Sequence, residues 1–373
     1  MHPELITKTY NELEKGAGEG YGDDWFKVDA AHGSTAQLLK QNIYKFSGAK
    51  TYQQLAEMNS FLVDDKGKIR SYSEFKRKVD VVHESYNRNY LQAEYQTAKR
   101  SAQAARQWKG YEENKDLFPN LKYMTVGDDK VRHDHEKLHG IIKPVNDVFW
   151  DTHYPPNGWR CRCYVRPTSE GETSTKVETD PDKGFGINVG KVSQVFDENS
   201  HPYFAYPSGD AKDVKKAFEN FKAIAPYGKA RFIADNGSKV FVSPFANASP
   251  GNLIGNYRVA IKIAEQLKYD VKLRPFLDEK ILIGQTNQEY LIKGKLAERK
   301  SPTDLKLKSI FSEAIKNKSE VVVIDLENSG YSIDEIKQSL KGIFYGKSNT
   351  VSEVIVVSKN RKTMVSYQIN ELQ

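Results

Sequence analysis

The sequence predicts an α+β multidomain protein: a mostly helical N-terminal part, a linker, and a C-terminal α/β domain with a mixed sheet. Three observations predict it. Apolar residues recur at helical spacing along one stripe from Phe75 to Trp108. Between residues 168 and 190 the composition turns to Ser, Thr, Glu, Gly and Asp, which suits a linker. From about residue 252 the pattern reads α-β-β-β-α-β-α-β-β, with a near-continuous apolar run, VVVID, that suits a strand buried on both faces. With 373 residues there is room for two or three domains. The expected division is a helical segment 1–70, a module 71–168, a linker 169–250 holding a helix and a β-hairpin, and a C-terminal domain 251–373.

The totals bound the function classes. Hydrophobic residues make up 38% of the chain and mean hydropathy is -0.67, which favours extended helices and surface-rich pieces over one deep core. Twenty-one Tyr and 17 Phe exclude general disorder. A net charge of +7 suits contact with nucleic acid or an acidic partner, and equally an ordinary solvated surface. Two Cys, one residue apart, exclude a disulfide scaffold. No apolar segment reads as a signal peptide and none is long enough to span a bilayer, so the expectation is a soluble chain made in a cytoplasm, without a membrane partner.

Residues 1–70 read as short helices joined by turns, one capped by Ser34 and running to Lys45, another capped by Thr51 and running to Phe61, with a turn at 64–67. Residues 71–109 read as one amphipathic helix, capped by Ser71 or Ser73. Its polar face, including Lys76, Arg88, Lys99 and Arg106, is either plain solvated surface or a docking face for a larger assembly. A short strand is expected at 122–125.

The stretch 127–167 concentrates four of the eight His, both Cys and two of the four Trp around a Pro-Pro-Asn-Gly turn. His135 and His139 share a helical face. Imidazole and thiolate are good zinc ligands and a closed site needs four, which His135, His139 (or His153), Cys161 and Cys163 could supply to a structural Zn²⁺. The C-x-C spacing departs from the usual zinc spacing, and the alternative is a hydrogen-bonded polar core around Trp150 and Trp159. The order Asp129, Arg132, His135, Leu138-His139-Gly140, Phe149-Trp150, Tyr154-Pro155-Pro156-Asn157-Gly158-Trp159, Cys161-Arg162-Cys163 resembles the Mu F-type phage head morphogenesis (minor head) proteins, over roughly 75–168. That resemblance implies a minor capsid component near the portal, with phage portal and capsid proteins as partners and the virion as its location. It carries these residues over as structural or metal-ligating only.

Beyond the linker's helix (210–223) and its Asn236-Gly237 hairpin, the C-terminal hairpin 288–292/295–300 repays arithmetic. With Lys293 and Gly294 as the loop, Ile292 faces Lys295, Leu291 faces Leu296, Tyr290 faces Ala297 and Glu289 faces Glu298. Opposed carboxylates repel. Lys300 points to the same side as Glu298. A divalent cation, Mg²⁺ in the first instance, held by Glu289 and Glu298 would relieve the repulsion, polarise a phosphate and activate water, with Lys300 stabilising developing charge. The plain alternative is a soluble edge strand. Arg274, Lys293, Lys295, Arg299, Lys306 and Lys308 could hold phosphates, and Tyr290 and Tyr345 could stack on bases.

The stretch from Leu267 through the Glu298-Arg299-Lys300 string to the VVVIDL strand resembles the C-terminal tRNase toxin domains of contact-dependent growth inhibition (CdiA-type) proteins, over roughly 252–373. Those are restriction-endonuclease-like, PD-(D/E)xK-type nucleases. The resemblance implies catalytic roles for Glu289, Glu298 and Lys300, an RNA substrate of the tRNA class, and a cognate immunity protein. Gln288-Glu289 stands where Pro-Asp is usual, and Asn317 where Gln is common. Glu265 and Asp278 are further candidate acids. The expectation is therefore a phage or prophage minor head protein carrying a metal-dependent ribonuclease toxin, found in the virion and in the bacterial cytoplasm. The alternative is a purely structural capsid protein with a non-catalytic or DNA-binding tail.

Overall fold

The computed structural model describes every residue except 1, 175, 176, 178, 208, 305, 345–349, 372 and 373. It forms two compact units, Met1–Phe26 with Thr35–Val214, and Lys27–Ser34 with Lys215–Gln373.

The first unit begins with α1 (Pro3–Tyr21), which has Pro in its first turn and stops at Gly22, whose φ of 86° needs no Cβ. Helix α2 (Gly33–Ser60) is one 28-residue helix where two short ones were expected. Thr51 is not a cap but lies inside it, its hydroxyl donating to the Ser47 carbonyl (2.8 Å). Gly48 is too weak a breaker to divide the helix, costing about 1 kcal/mol. Helix α3 (Tyr72–Glu84) starts on a capping box in which Ser71 accepts from the Glu74 amide and Glu74 from the Ser71 amide. A π-helical turn, Ser85–Tyr90, joins it to α4 (Leu91–Glu113), so the single helix expected over 71–109 is interrupted. Lys50 of α2 donates to the Tyr86 carbonyl in that turn (2.7 Å) and pairs with buried Glu94 (2.5 Å).

The module continues through β1 (Asn120–Met124), α5 (His133–Glu136), β2 (Ile142–Pro144), α6 (Phe149–His153) and β3 (Tyr164–Thr168). The strands form an antiparallel sheet in the order β2-β1-β3. After it comes α7 (Val189–Val192). The expected linker is in part a packed segment: Phe185, Val189, Val195 and Phe196 are buried. Asn42 pins it by donating to the Phe196 carbonyl (2.9 Å) and accepting from the Val195 and Phe196 amides (2.8 Å each). Polar composition up to residue 184 hid the apolar anchors that follow.

Next are α8 (Ala211–Ile224), β4 (Phe232–Ile233), β5 (Lys239–Val242), α9 (Pro250–Leu267), β6 (Val271–Leu273), β7 (Tyr290–Ile292), β8 (Lys295–Lys300), α10 (Leu307–Lys316), β9 (Val321–Asp325), α11 (Ile333–Phe344), β10 (Glu353–Val357) and β11 (Met364–Gln368). The strands form one mixed sheet ordered β11-β10-β9-β8-β7-β6-β5-β4. The neighbours β8 and β9, β9 and β10, and β5 and β6 run parallel. From α9 onward the element order is the expected one. The hairpin β4–β5, expected in the linker, is instead the edge of this sheet, because β5 pairs with β6.

The sheet is covered on both faces. Val271, Tyr290, Ile292, Ala297, Val321 and Val323 pack with α9 residues such as Leu253, Tyr257 and Ile263. The alternate residues Val322, Ile324, Val354 and Val356 pack with α10 and α11 through Leu307, Ile310, Ile336 and Leu340. Among the described residues, no helix is long and apolar enough to cross a membrane. Leu305, the expected start of α10, and Tyr345, a candidate stacking residue, lie outside the described residues.

Candidate functional site

The hairpin β7–β8 has the register the two-residue loop requires: Ile292 opposite Lys295, Leu291 opposite Leu296, Tyr290 opposite Ala297. Lys293 and Gly294 supply the positive φ values, 53° and 83°, that such a loop needs. Glu298 is 3% exposed. Its Oε2 accepts from Asn317 Nδ2 (3.0 Å); its buried Oε1 makes no well-formed hydrogen bond, and the buried Ser319 hydroxyl is the other donor at this carboxyl. Lys300 Nζ lies 3.9 Å from Glu298 Oε2 and 2.8 Å from Glu313 Oε1. Glu289 precedes β7, and its Oε2 accepts from the Arg299 amide (2.9 Å). Burial holds both carboxyls above the usual carboxylate range, and the charge of Glu298 raises Glu289 further. Gln288 bridges this end of the sheet by donating to the Asn317 carbonyl and accepting from Arg274 Nη1 (2.8 Å).

The other sequence candidates scatter. Arg274 stays beside Glu289, with its own pKa lowered by burial. Lys293 and Lys295 sit at the closed end of the hairpin, away from Glu298; Lys293 lies over the Tyr269 ring (3.9 Å) and near Glu353 (3.3 Å), and Lys295 donates to Ser352 (2.9 Å). Lys306 and Lys308 are exposed, Lys306 beside Asp304 (2.9 Å).

Arg299 is not available to a phosphate. It occupies the alternate side of β8, where its Nε and Nη2 donate to Asp325 (3.0 and 2.7 Å) and its Nη1 donates to Asn256 (3.1 Å). Fully buried Asp325 also takes Arg361 (2.8 Å). Sequence reasoning missed this ion cluster, although an Asp closing the apolar VVVID run was a visible signal. Tyr290 is not a stacking residue either: it is fully buried, its hydroxyl donating to the Asn256 carbonyl (3.2 Å). Glu265 pairs with Lys262 on a helix surface (2.6 Å), and Asp278 caps its own loop.

The module's second cluster is built by the Pro-Pro-Asn-Gly turn. Buried Asn157 accepts from the Tyr123 hydroxyl (2.8 Å), tying the turn to β1. A Cβ on Gly158 would lie 2.1 Å from Arg132 Nη1 and 2.2 Å from Asp182 Oδ2, so only glycine leaves room for the Arg132–Asp182 pair (2.9 Å). Arg132 Nη2 also donates to the Trp159 carbonyl (2.6 Å). Arg132 immediately precedes α5, so these bonds bring α5 against the cysteine loop. His135 Nδ1 then stands 3.7 Å from Cys161 Sγ and 3.6 Å from Cys163 Sγ. The three ligand atoms lie within 4.8 Å of one another, a group able to hold a metal ion. The shared thiol proton and His135 favour the Cys161 thiolate, at the expense of Cys163.

His139 and His153 are not in this group. The helix carrying His135 ends at Glu136, so the shared helical face is lost. His139 Nδ1 contacts the Thr125 hydroxyl (2.8 Å), and His153 Nε2 the Thr179 carbonyl (2.7 Å).

Comparison with known proteins assigns each unit a class. Residues 66–166 match the family model described as Phage Mu protein F like protein, and residues 286–363 match that of the contact-dependent growth inhibition CdiA C-terminal domain. The chain thus carries a Mu F-like domain in its N-terminal region and a CdiA C-terminal toxin domain in its C-terminal region. Among individual relatives, protein F of Escherichia phage Mu, named for capsid assembly, is 41% identical over 75 residues, 20% of this chain and 17% of that protein. The Mu-like prophage FluMu F protein of Haemophilus influenzae is 41% identical over 83 residues, 22% of this chain and 19% of that protein. The chain therefore spans less than a fifth of either relative's length. A solved CdiA-CT/CdiI toxin and immunity complex from Burkholderia pseudomallei aligns at 21% identity and a TM-score of 0.26, over 31% of this chain and 83% of that one.

Proposed function

We propose that this chain is a phage or prophage minor head protein whose C-terminal domain is a metal-dependent ribonuclease toxin acting on RNA of the tRNA class. The observation that carries the chemistry is the buried Glu298 carboxyl, whose Oε1 makes no well-formed hydrogen bond and has only the Ser319 hydroxyl beside the carboxyl to draw on, next to Lys300 and a half-buried second acid, Glu289. A buried acceptor left unpaired costs about 1–3 kcal/mol, so the fold retains a group that a ligand would satisfy. Paired carboxylate oxygens are the donor set that hard divalent cations take. Glu289 and Glu298 would hold such a cation, Mg²⁺ in the first instance, which when bound polarises the phosphate and lowers the pKa of its water.

The chain's own residues do the rest. Asn317 fixes the Glu298 rotamer through Oε2 and leaves Oε1 directed away from it. Lys300, held by Glu313, supplies a positive charge to orient attacking water or offset charge on the phosphate. Arg274 beside Glu289 is the remaining phosphate contact at this end of the sheet. Matches to head-protein and toxin families support a particle-borne toxin, with portal and capsid proteins as assembly partners and a cognate immunity protein protecting the producing cell. The locations that follow are the virion and the cytoplasm of the bacterium it enters.

The test is cleavage of total tRNA by the full chain with Mg²⁺ or with a chelator. Mg²⁺-dependent cleavage is expected, with Glu298→Gln and Lys300→Met each slowing it by about 10²–10⁴. No cleavage, together with growth inhibition untouched by both substitutions, would refute the nuclease reading.

A further inference from the structure

The Mu F-like module contains a chemistry that the nuclease reading does not use. We infer that His135, Cys161 and Cys163 form a three-ligand zinc site whose fourth position is open to exchangeable ligand, rather than a closed structural site. Two thiolates and an imidazole are the ligand types of zinc, and of other borderline-soft divalent ions, not of Mg²⁺. Their donor atoms already lie within 4.8 Å of one another. The His135 Nδ1 to Sγ separations, 3.7 and 3.6 Å, are those of ligands on a tetrahedron with metal–nitrogen and metal–sulfur bonds of about 2.0 and 2.3 Å.

The fourth ligand is what distinguishes this site. Among the described residues, no fourth His, Cys, Asp or Glu joins the group. His139, the sequence candidate, is turned to Thr125, and His153 to Thr179. Asp128, in the loop before α5, is taken in a two-pronged pair by Arg162 (2.6 Å for each bond). All three ligand residues line one cleft of about 340 Å³, together with Lys130, Trp159 and Arg160. A ligand in that cleft would reach the metal without unfolding the module.

The cleft also has a chemical preference. Arg162 and Arg132 are neutralised by Asp128 and Asp182. Arg160 is exposed, pairs with no carboxylate among the described residues and sits in a left-handed conformation at φ 58°, uncommon for a side chain of its size. With Lys130, another residue lining the cleft, it gives the cleft a basic rim. The open position therefore suits water or hydroxide, and small anions that displace them.

The framework is rigid enough to hold three ligands without a fourth. Asn157 accepts from the Tyr123 hydroxyl and, through its carbonyl, from the Asp182 amide (3.0 Å), while Arg132 donates to Asp182 (2.9 Å) and to the Trp159 carbonyl (2.6 Å). The Cys161 amide donates to the Gly158 carbonyl (3.1 Å). These bonds fix the cysteine loop on one side and α5 on the other, so the site does not depend on the metal to bring its ligands together.

The test uses the full chain carrying Glu298→Gln, which removes the other candidate cation site, titrated with Co²⁺. A single equivalent should bind with tetrahedral d–d bands and a near-ultraviolet thiolate-to-cobalt charge-transfer band, and Zn²⁺ should displace it. Cys161→Ser and Cys163→Ser should each abolish the charge-transfer intensity contributed by that sulfur. His139→Gln, which keeps a hydrogen bond to Thr125 within reach, should leave stoichiometry and spectrum unchanged. Azide or cyanide should shift the d–d bands, and Arg160→Ala should weaken that anion response about tenfold or more. A spectrum indifferent to added anions, or altered by His139→Gln, would show a closed four-ligand site; absence of a thiolate band would show no metal site at all. Circular dichroism of each variant separates ligand loss from misfolding, and the anion titration of the unsubstituted cysteine protein decides the open position by itself.

Discussion

At the residue scale, burial is the force that assigns roles. Glu298 and Arg299 are neighbours in one string of charged residues, yet one faces Asn317 and Lys300 and the other a buried aspartate. The two-residue period of a strand made the first legible, since the hairpin could be counted outward from its loop. It could not show that Asp325, Arg361 and Asn256 wait on the other side, because those residues come from distant parts of the chain.

His201 shows the same force acting on titration. It is 5% exposed among the rings of Phe46, Phe196 and Tyr203, and its Nδ1 accepts from the Tyr203 amide (3.1 Å). Burial lowers its pKa to about 4, against which Asp197 acts weakly. A folded-state pKa below the unfolded value of about 6.5 means that the unfolded chain binds the extra proton. The stabilisation is fully present above about pH 6.5 and is lost as pH falls towards 4, by about 3 kcal/mol in all. Denaturant unfolding of the full chain between pH 7 and 4 should show this slope for the first unit, and His201→Asn, which retains a capping acceptor, should flatten it.

At the element scale, helices were legible where a cap or a stripe announced them. Ser71 with Glu74 is a capping box in sequence and in structure. Sheet strands from β6 to β11 followed from alternation and turn residues. What escaped was continuity: α2 runs through Gly48 and Thr51, because tertiary burial of its faces outweighs a weak local breaker. The packing of α1 on α4 escaped as well. It depends on two glycines at helical spacing, Gly16 and Gly20, where a Cβ would lie 2.9 Å from the Tyr95 carbonyl oxygen and 1.8 Å from that of Lys99. Gly20→Ala must push the helices apart and should cost about 1–3 kcal/mol or more in denaturant melts. Gly110→Ala, in α4 with nothing within 4 Å of the added methyl, should instead stabilise by about 0.5–1 kcal/mol.

At the scale of the whole molecule, there are two compact units, one holding the His135–Cys161–Cys163 group and the other the buried Glu298. Calorimetry of the full chain should resolve two transitions. Gly20→Ala should lower one of them. Asp325→Asn should lower the other, since it leaves Arg299 and Arg361 without their shared counter-charge; removing one partner of a buried ion pair costs about 3–5 kcal/mol. A single transition moved equally by both substitutions would contradict the division.

The sequence by itself determined the local matters: the helical stripe, the capping box, the register of the β7–β8 hairpin, the order of the C-terminal elements, and the clustering of His and Cys around the Pro-Pro-Asn-Gly turn. Each rests on spacing along the chain, which sets face and period directly. Only the tertiary structure decided which members of a cluster meet. It turned His139 away from the cysteines, withdrew Arg299 and Tyr290 from any nucleic-acid surface, and drew β4–β5 out of the linker into the sheet. Those outcomes depend on pairing and burial between residues far apart in the chain, and no spacing encodes them.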